Sequence, residues 1–451
     1  MSVCAHSKAL YKPKPTKLAI PYTLNYNHVM NKGNLSTESY KGVRDFYPED
    51  MAVQRYIFDT WAKTAESFGY ERYDASILEP SDLYRSKGAV NEEMVNEQTY
   101  TFVDRGEREV TLRPEMTPTV ARMVAGKRRE LKFPLRWYSI PNLFRYERPQ
   151  RGRLREHWQL NCDMFGADDF TADVELIALV HQLYLDFGAT PDMFEIRVND
   201  RQEMTALYNS LGIKDQEAIT AITRLNDRKN KISGDEYSAA LEEILGDTQQ
   251  ANAVITLVED STGTNQVIAG LRELGITNVR LDRTIARGFD YYTGTVFEVF
   301  DTSPDNNRSM CGGGRYDNLT AMFSDDAISG IGFGAGDVIM RDFLETHKLI
   351  PSHIKETAPC LIVIPTDEKL NLEAQKVAHI IRTRGISTAT DIGTKKIGKK
   401  IADAVDRGAK YTIVVGSDEL QSGTFTLKHL AQTTETTDSL ENILTYLITN
   451  K

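Results

Sequence analysis

A rapid succession of strand-like segments between residues 99 and 166 constrains the fold more than any other feature. They are TYTFVDR (99–105), EVTLRPE (109–115), LRWYSIPNLFRYE (135–147) and WQLNCDMFG (158–166), all rich in β-branched and aromatic residues. Strands that follow one another without long intervening helices pair in the antiparallel sense. The sequence therefore predicts a domain built on an antiparallel sheet with helices.

The rest of the chain adds two further units. Residues 201–275 are polar and largely helical, which indicates an inserted helical subdomain. After a linker at 351–359, apolar strands alternate with helices over 360–451. That alternation is typical of a small, parallel-type α/β domain. We therefore expect an α+β domain at 41–350 followed by a separate α/β domain.

Composition excludes several classes of protein. The chain has 451 residues and 41% hydrophobic content, enough for two or three domains, and it contains no apolar run long enough to span a membrane. Its four cysteines are scattered and form no C-x-x-C pair, which argues against a zinc site or a disulfide framework. A reduced, cytoplasmic compartment is expected.

Local charge points to a polyanionic partner although the net charge is −10. Residues 127–156 carry ten Lys/Arg against three Asp/Glu, and residues 392–410 carry six against two. Two basic patches on an acidic chain suit a protein that holds nucleic acid at two places. On charge alone, a pair of solvated surfaces is an equal alternative.

The N-terminal residues 1–40 are polar and contain prolines and lysines but no arginine. We expect a mostly disordered extension, with Met30 as an alternative start. A mitochondrial presequence is a weaker alternative, because such segments are rich in arginine.

The stretch TLRPEMT (111–117) places a carboxylate where a strand meets a helix. Glu115 follows the strand, and Thr117 and Pro118 suit the cap and the first position of a helix. Glu115 would then lie beside a positive helix N-terminus. Simple helix capping is the alternative interpretation.

The stretch FRYERPQRGRLREHWQLNCD (144–163) reads as two strands joined by an arginine-rich loop. Alternation predicts that Arg145 and Glu147 share one sheet face, and that Gln159, Asn161 and Asp163 share one face of the return strand. Such a face is a poor core and a good floor for a polar ligand. A solvent-exposed antiparallel face is the alternative.

The stretch RGFDYYTGTVFEVF (287–300) places Arg287, an acid, Tyr291 and Tyr292 at the start of a strand. Core strands rarely begin with a cation, a carboxylate and two phenols together. The crowding indicates a binding site rather than a packing role.

These stretches together resemble the histidyl-tRNA synthetase family of class II aminoacyl-tRNA synthetases. FRYERPQRGRLREHWQLNCD is similar to class II motif 2, RGFDYYTGTVFEVF to the histidine signature peptide, and TLRPEMT to the histidine-binding loop. CGGGRYDNL followed by GIGFGAGD also matches. The resemblance covers about residues 41–451, and the order of the motifs makes it specific.

The resemblance implies a catalytic domain with a six- or seven-stranded antiparallel sheet, a C-terminal anticodon-binding domain and a homodimer. It implies that ATP and L-histidine form histidyl-adenylate, with Mg²⁺, and that histidine then passes to tRNA(His). No residues are expected to hold a resident metal, and no membrane contact is expected.

The resemblance also implies roles for individual residues. The catalytic pair would be Arg145 and Arg287, on opposite sides of the α-phosphate. The histidine-binding set would be Glu115, Met116, Thr117, Arg145, Gln159, Asp163, Arg287, Tyr291 and Tyr292. The ATP-binding set would be Arg145, Glu147, Arg153 and His157. The tRNA-binding set would be Gln150, Arg151, Lys395 and Lys396.

Some positions depart from the family pattern. Motif 3 normally ends in an arginine that binds the ATP γ-phosphate, and Ile339 stands there, with Arg341 two residues later. His157 replaces the adenine-stacking phenylalanine, Met116 replaces a glycine, and Asp163 replaces a glutamate. Motif 1 is also faint.

The missing motif 3 arginine leaves two alternatives to an active synthetase. One is a non-catalytic paralogue, such as the regulatory subunit of ATP phosphoribosyltransferase or a tRNA-sensing module. The other is a purely structural tRNA-binding protein. The complete RGFDYYTG stretch, with Arg145, Arg287 and Glu115, argues for the enzyme.

Overall fold

The protein, as a computed structural model, is described over residues 35–86, 97–229, 232–287, 291–306, 308–324 and 326–450. Residues 1–34 of the predicted N-terminal extension, and Met30 with them, lie outside the described residues. Residues 35–40 form no helix or strand. Within the described residues, no helix has the length and apolar character needed to cross a membrane.

Fourteen α-helices are numbered here in chain order among the described residues. They are α1 (Pro48–Ser67), α2 (Asp82–Arg85), α3 (Thr117–Lys127), α4 (Phe170–Asp186), α5 (Arg201–Ser210), α6 (Gln216–Arg228), α7 (Gly234–Leu245), α8 (Thr248–Glu259), α9 (Gln266–Glu273), α10 (Asp337–Thr346), α11 (Asn371–Thr383), α12 (Ile397–Asp406), α13 (Ser417–Ser422) and α14 (Leu440–Thr449).

Seventeen strands are numbered in the same way among the described residues. They are β1 (Glu71–Arg72), β2 (Leu78–Pro80), β3 (Tyr100–Val103), β4 (Glu109–Leu112), β5 (Leu135–Ser139), β6 (Asn142–Phe144), β7 (Glu156–Phe165), β8 (Phe194–Asp200), β9 (Val279–Leu281), β10 (Thr295–Asp301), β11 (Ser309–Arg315), β12 (Gly330–Gly336), β13 (Leu361–Pro365), β14 (Thr388–Thr390), β15 (Tyr411–Val415), β16 (Thr424–His429) and β17 (Thr434–Ser439).

The main sheet has nine strands, with the order β1-β5-β7-β12-β11-β10-β8-β9 and β6 paired to β7. All its central pairs are antiparallel, as predicted. Both edges differ from the prediction, because β1 pairs with β5, and β9 with β8, in the parallel sense. The expectation of six or seven strands was therefore too low, since it omitted these short edge strands.

Two of the predicted strand segments form a separate sheet. Strands β3 and β4 pair with each other, and β2 pairs with β4, in a three-stranded antiparallel sheet. The predicted strand 135–147 is divided into β5 and β6 and ends at Phe144, three residues early. Pro141 stands at the division, where a residue without an N–H cannot continue the ladder.

One face of the main sheet carries the largest apolar core. Alternate residues of β7 and β12 point into it, and α1 and α4 cover it with Trp61, Leu176 and Leu183, all fully buried. Helix α4 begins with Asp169 as its cap, whose carboxylate accepts a hydrogen bond from the Thr171 N–H. The alternate residues of the same strands point to the opposite face, outside this core.

The helical segment after β8 has an apolar core of its own. This core is formed by residues from Met204 to Val258, on helices α5 to α8. Helix α9 instead packs with Val267, Ile268 and Leu271 in the core of the main sheet. The separate helical core is thus shorter than the predicted range 201–275.

The C-terminal residues form a five-stranded sheet with the order β14-β13-β15-β16-β17. Its first three strands are parallel, as the strand–helix alternation predicts. The last two are antiparallel, which the prediction of a parallel-type domain did not include. For β16 and β17 the reason is local, because only residues 430–433 separate them, and so short a link allows only a hairpin.

A buried ion pair joins α4 to the main sheet. Arg315 Nη2 lies 2.6 Å from Asp173 Oδ1, with side-chain exposures of 9% and 4%. We expect Arg315→Met to lower the free energy of unfolding by about 3–5 kcal/mol, because it leaves the Asp173 carboxylate buried and unpaired. Urea denaturation measures this change.

The matched control is Arg136→Met, since Arg136 also pairs with α4, at Glu175, but with exposures of 29% and 32%. A loss of about 1 kcal/mol or less is expected there. The double variant Asp173→Asn, Arg315→Met should recover part of the loss. Equal losses in the two arginine variants would contradict this account.

Candidate active site

The face of the main sheet opposite the apolar core carries polar side chains on β7. At the facing positions, β12 and β11 carry only glycine. On β7, Asn161 and Asp163 lie opposite Gly334 and Gly332 of β12. Those two glycines in turn lie opposite Gly312 and Gly314 of β11. Because alternate residues of a strand share a face, the four glycines and the polar β7 side chains face the same side.

The glycines leave the space that the polar side chains occupy. A Cβ at position 332 would lie 2.3 Å from Asp163 Oδ1, and one at position 334 would lie 2.3 Å from Gln159 Nε2. A Cβ at Gly312 would lie 2.6 Å from Arg287 Nη1. The side chains of Asp163, Gln159 and Arg287 can therefore lie against the sheet only because β11 and β12 have glycines at these positions.

A small, partly open cavity lies on this glycine face. It is lined by Glu115, Thr117, Arg145, Gln159, Asn161, Arg287, Tyr291, Tyr292, Gly312, Tyr316, Gly332, Phe333 and Gly334. The structure thus brings together seven of the sequence-predicted site residues, which come from three separate stretches of the chain. Asp163 lies against the same floor beside Gly332.

Glu115 is buried where β4 gives way to α3. Its Oε2 accepts a hydrogen bond from the Tyr291 hydroxyl at 3.2 Å. Its Oε1 is buried and has no hydrogen-bond partner among the described residues. Burial raises the pKa of Glu115 to about 7, despite the opposing charges of Arg145 and Arg287.

Asp163 is the second buried carboxylate of the site. Tyr316 donates its hydroxyl to Asp163 Oδ1, whereas Oδ2 is buried without a partner in the described part of the chain. Burial raises the pKa of Asp163 to about 7. The sequence analysis missed Tyr316, although the CGGGRYDNL motif that contains it was a usable signal.

Arg287 supplies the opposite charge. Its Nη1 lies 2.7 Å from Glu298 Oε1, and both side chains are less than one-fifth exposed. Its Nε is buried with no partner among the residues described. Its backbone φ is +57°, a left-handed conformation rare for arginine. Residues 288–290 of the signature stretch lie outside the described residues.

Glu298 is the second residue that the sequence analysis missed. It lies opposite Gly312 in the β10–β11 pair, and so it shares the glycine face. A strand that alternates Val296, Glu298 and Phe300 on one side gave a weak signal, because a charged residue interrupts an otherwise apolar strand.

Arg145 lines the cavity from a different backbone position than predicted. Strand β6 ends at Phe144, so Arg145 and Glu147 do not share a strand face. The Arg145 N–H donates to the Arg155 carbonyl at 2.9 Å, and its Nε donates to the Pro114 carbonyl at 2.8 Å. The side chain is thus held against the turn that carries Glu115.

Two details of the TLRPEMT stretch differ from expectation. The helix α3 includes Thr117, and Met116 occupies its cap position without a side-chain cap bond, so the prediction that Thr117 caps the helix was wrong. Thr117 lines the cavity instead. Met116 is fully buried, with its sulfur 3.9 Å from Arg113 Nη1, and is not among the cavity-lining residues.

Of the predicted ATP-binding residues, Arg145 lines the cavity, whereas Glu147, Arg153 and His157 are not among the lining residues. His157 shares the β7 face of Gln159, Asn161 and Asp163 by alternation. Burial, with the charges of Arg145 and Arg44, lowers the pKa of His157 to about 3, so the ring is neutral. Glu147 Oε2 lies 3.7 Å from Arg153 Nη1 in the arginine-rich loop.

Ile339 packs against the arginine-rich loop where the family has a phosphate-binding arginine. A Cβ on Gly152 would lie 3.0 Å from Ile339 Cγ1. Arg341 pairs with Asp50 at 2.9 Å and with Glu345 at 2.8 Å. The Arg341 guanidinium is therefore already paired with these two carboxylates.

The predicted tRNA-binding residues lie in two exposed regions. Arg151 pairs with Asp342 at 2.9 Å, and Gln150 Oε1 accepts from Arg308 Nη2 at 3.3 Å. Lys395 pairs with Asp403 at 2.5 Å, and Lys396 is the cap residue of α12. No described group of three or more His, Cys, Asp and Glu side chains could hold a metal ion.

The two raised carboxyl pKa values predict a pH-dependent stability. A group whose pKa is higher in the folded state stabilises the fold at low pH, and this contribution is lost as pH rises to its folded pKa. For Asp163 the window runs from the ordinary carboxyl pKa of 3.8 to about 7. We expect the free energy of unfolding to fall over this range, and to fall less in Asp163→Asn.

Urea denaturation at several pH values between about 4 and 8 measures this slope. The control is Asp59→Asn, an exposed carboxylate on α1. Stability curves for Asp163→Asn and the unsubstituted protein that run parallel across this range would contradict the prediction.

Comparison with known proteins gives matches over most of the chain. The family model described as Histidyl-tRNA synthetase matches residues 42–336, and the model described as Anticodon binding domain matches residues 360–450. The chain is 42% identical over 434 residues to the histidine–tRNA ligase of Leptospira biflexa, across 92% of this chain and 98% of that protein.

A second relative is the histidine–tRNA ligase of Thermoplasma volcanium, 34% identical over 433 residues, across 92% of this chain and 99% of that protein. The crystal structure of histidyl-tRNA synthetase from Nostoc sp. PCC 7120 shares the fold, with a TM-score of 0.75 at 22% identity, covering 93% of this chain and all of that one. The predicted class II fold, an α+β domain followed by an anticodon-binding α/β domain, is confirmed. On its family match and its relatives alike, the chain belongs to the histidyl-tRNA synthetase family.

Proposed function

We propose that the chain is a histidine–tRNA ligase that first joins L-histidine to ATP and then transfers histidine to tRNA(His). One observation carries the proposal: three buried polar atoms without described partners, Glu115 Oε1, Asp163 Oδ2 and Arg287 Nε, belong to side chains around one cavity. Two carboxylates and one guanidinium complement an amino acid that has an ammonium, a carboxylate and a basic ring.

In this proposal Glu115, Thr117 and Gln159 bind the α-amino group of histidine. Asp163 and Tyr292 bind the two imidazole nitrogens, with Tyr291 beside them. A site that bonds both nitrogens rejects an apolar isostere by about 10⁴-fold or more, because the isostere would leave buried polar groups unpaired. Met116 supports the wall from behind rather than touching the substrate.

Arg145 and Arg287 act on the α-phosphate. The histidine carboxylate attacks the α-phosphorus, the bond to the bridging oxygen breaks, and pyrophosphate leaves with that electron pair. Charge develops on the phosphoryl oxygens, and two fixed guanidinium groups stabilise it. In the second step the tRNA 3′-terminal hydroxyl attacks the acyl carbon, and AMP leaves.

ATP lies beyond the histidine pocket. His157 stacks on adenine, Glu147 accepts from its amino group, and Arg153 reaches the outer phosphates. The neutral His157 ring, with its lowered pKa, suits stacking. Because the described residues contain no carboxylate cluster, Mg²⁺ would be held mainly by the phosphates of ATP itself.

The tRNA partner follows from the basic surfaces. Gln150 and Arg151 lie in the arginine-rich loop, where they would approach the acceptor end. Lys395 and Lys396 lie at the start of α12, in the domain at 360–451 that would bind the anticodon. The proposal also keeps the predicted domain boundaries: a catalytic domain at 41–350, with its helical insertion, and a linker at 351–359.

The proposal includes a homodimer in the cytoplasm. The support for a dimer is an exposed apolar surface on the small sheet and the residues before it, where Ile77, Leu78, Phe102 and Val103 are 40–65% exposed. Apolar patches of this kind mark protein–protein contacts.

The experiment that tests the function is ATP–pyrophosphate exchange with each of the twenty amino acids. Exchange with histidine alone is expected, and Arg287→Ala should reduce it by at least about 10²-fold while tRNA affinity stays nearly unchanged. The control is Arg272→Ala on α9, an exposed arginine. A folded protein that binds tRNA or histidine without exchange would favour the non-catalytic paralogue.

A second prediction concerns the glycine floor. Gly332→Ala places a Cβ against the Asp163 carboxylate and the Tyr316 hydroxyl, at 2.3 and 2.7 Å. We expect the KM for histidine to rise at least about tenfold while the KM for ATP stays nearly constant. Gly126→Ala is the matched control, because a Cβ there meets nothing within 4 Å. An unchanged histidine KM in Gly332→Ala would refute the assignment of Asp163.

A further inference from the structure

Arg201 donates hydrogen bonds to the backbone at Arg287 and at positions before and after it. Its Nε and Nη2 donate to the Ala286 carbonyl at 3.1 and 2.7 Å. The same Nη2 donates to the Arg287 carbonyl at 2.8 Å, and Nη1 donates to the Tyr292 carbonyl at 3.0 Å. One guanidinium therefore fixes three carbonyls before and after residues 288–290.

These contacts matter because the backbone at Arg287 is strained. A left-handed φ of +57° is unfavourable for a residue with a Cβ, because the Cβ comes too close to the following carbonyl oxygen. Such a conformation persists only where the surroundings enforce it. Two bonds to Ala286, one to Arg287 and one to Tyr292 provide that enforcement.

The side chain of Arg287 is fixed separately. Glu298 holds its Nη1 at 2.7 Å, and Gly312 leaves the space beside it. The orientation of the guanidinium on the glycine face thus depends on two anchors, Glu298 at its tip and Arg201 at its backbone.

Arg201 also stands at a junction of the fold. It is the first residue of α5, and its own N–H donates to the Gly294 carbonyl at 3.0 Å. The separate helical core begins three residues later at Met204. Arg201, Arg287 and Tyr292 line the same groove, together with residues of α5 and α6.

We propose that Arg201 is a positioning residue for histidine activation, which connects the helical insertion to the backbone of Arg287. The inference rests on the proposed role of Arg287 in the reaction. The planar fork of arginine is needed, because its N–H groups reach three carbonyls in fixed directions and a lysine ammonium does not reproduce them. Loss of the anchor displaces the Arg287 guanidinium from the α-phosphate, and small displacements of this kind are costly to rate.

The test measures ATP–pyrophosphate exchange in the full chain for Arg201→Ala and Arg201→Lys. We expect kcat to fall about 10- to 100-fold in Arg201→Ala, with the KM for histidine changed less than about threefold. Millimolar guanidinium chloride should restore part of the activity of Arg201→Ala. Arg201→Lys should stay below one-third of the original kcat.

The matched control is Arg228→Ala, since Arg228 is exposed and lines the same groove from α6. Its kcat should change less than about twofold and should not respond to guanidinium. Thermal unfolding of every variant reports folding separately.

Three outcomes would overturn the proposal. Full activity in Arg201→Ala, beside an inactive Arg287→Ala, would refute the positioning role alone. Loss of activity that guanidinium does not restore, together with a lowered Tm in both Arg201 variants, would assign Arg201 to structure only. Full activity in Arg287→Ala would remove the proposed role of Arg287 and this inference with it.

Discussion

The absence of side chains on one face of two central strands is the constraint on which the site depends. Four glycines of β11 and β12 face one another in register, so Asp163, Gln159 and Arg287 can lie against the sheet. The other face of the same strands is apolar and packs under α1 and α4. One sheet therefore provides both the core of the domain and the floor of its cavity.

The second constraint is electrostatic. Glu115, Asp163 and Arg287 are buried charges or potential charges, and each keeps one polar atom without a partner in the described structure. Tyr291 and Tyr316 donate to the second oxygen of each carboxylate, and Glu298 accepts from Arg287 Nη1. Burial raises the pKa of both carboxyl groups to about 7, because it removes water that would solvate the charged form. A ligand with matching charges would remove that cost, which is how a site can be prepared for its substrate before binding.

Sequence reasoning succeeded where local periodicity decides and failed where distant contacts decide. The alternation of Gln159, Asn161 and Asp163 was predicted correctly, because β7 is a regular central strand. The prediction that Arg145 and Glu147 share a strand face was wrong. Strand β6 ends at Phe144, and the Arg145 N–H donates to the Arg155 carbonyl instead. The parallel edge pairs were also missed, since neither β1 nor β9 has a pattern long enough to read.

By itself the sequence determined the family, the order of the motifs and the chemical groups available to the site, because these are properties of residue type and spacing. Only the tertiary structure decided which groups meet. Tyr316 reaches Asp163 across 153 positions of the chain, and Arg201 reaches Arg287 across 86. Such pairs depend on strand register and on the path of the backbone between elements. No local pattern encodes either, since both follow from how the whole sheet packs.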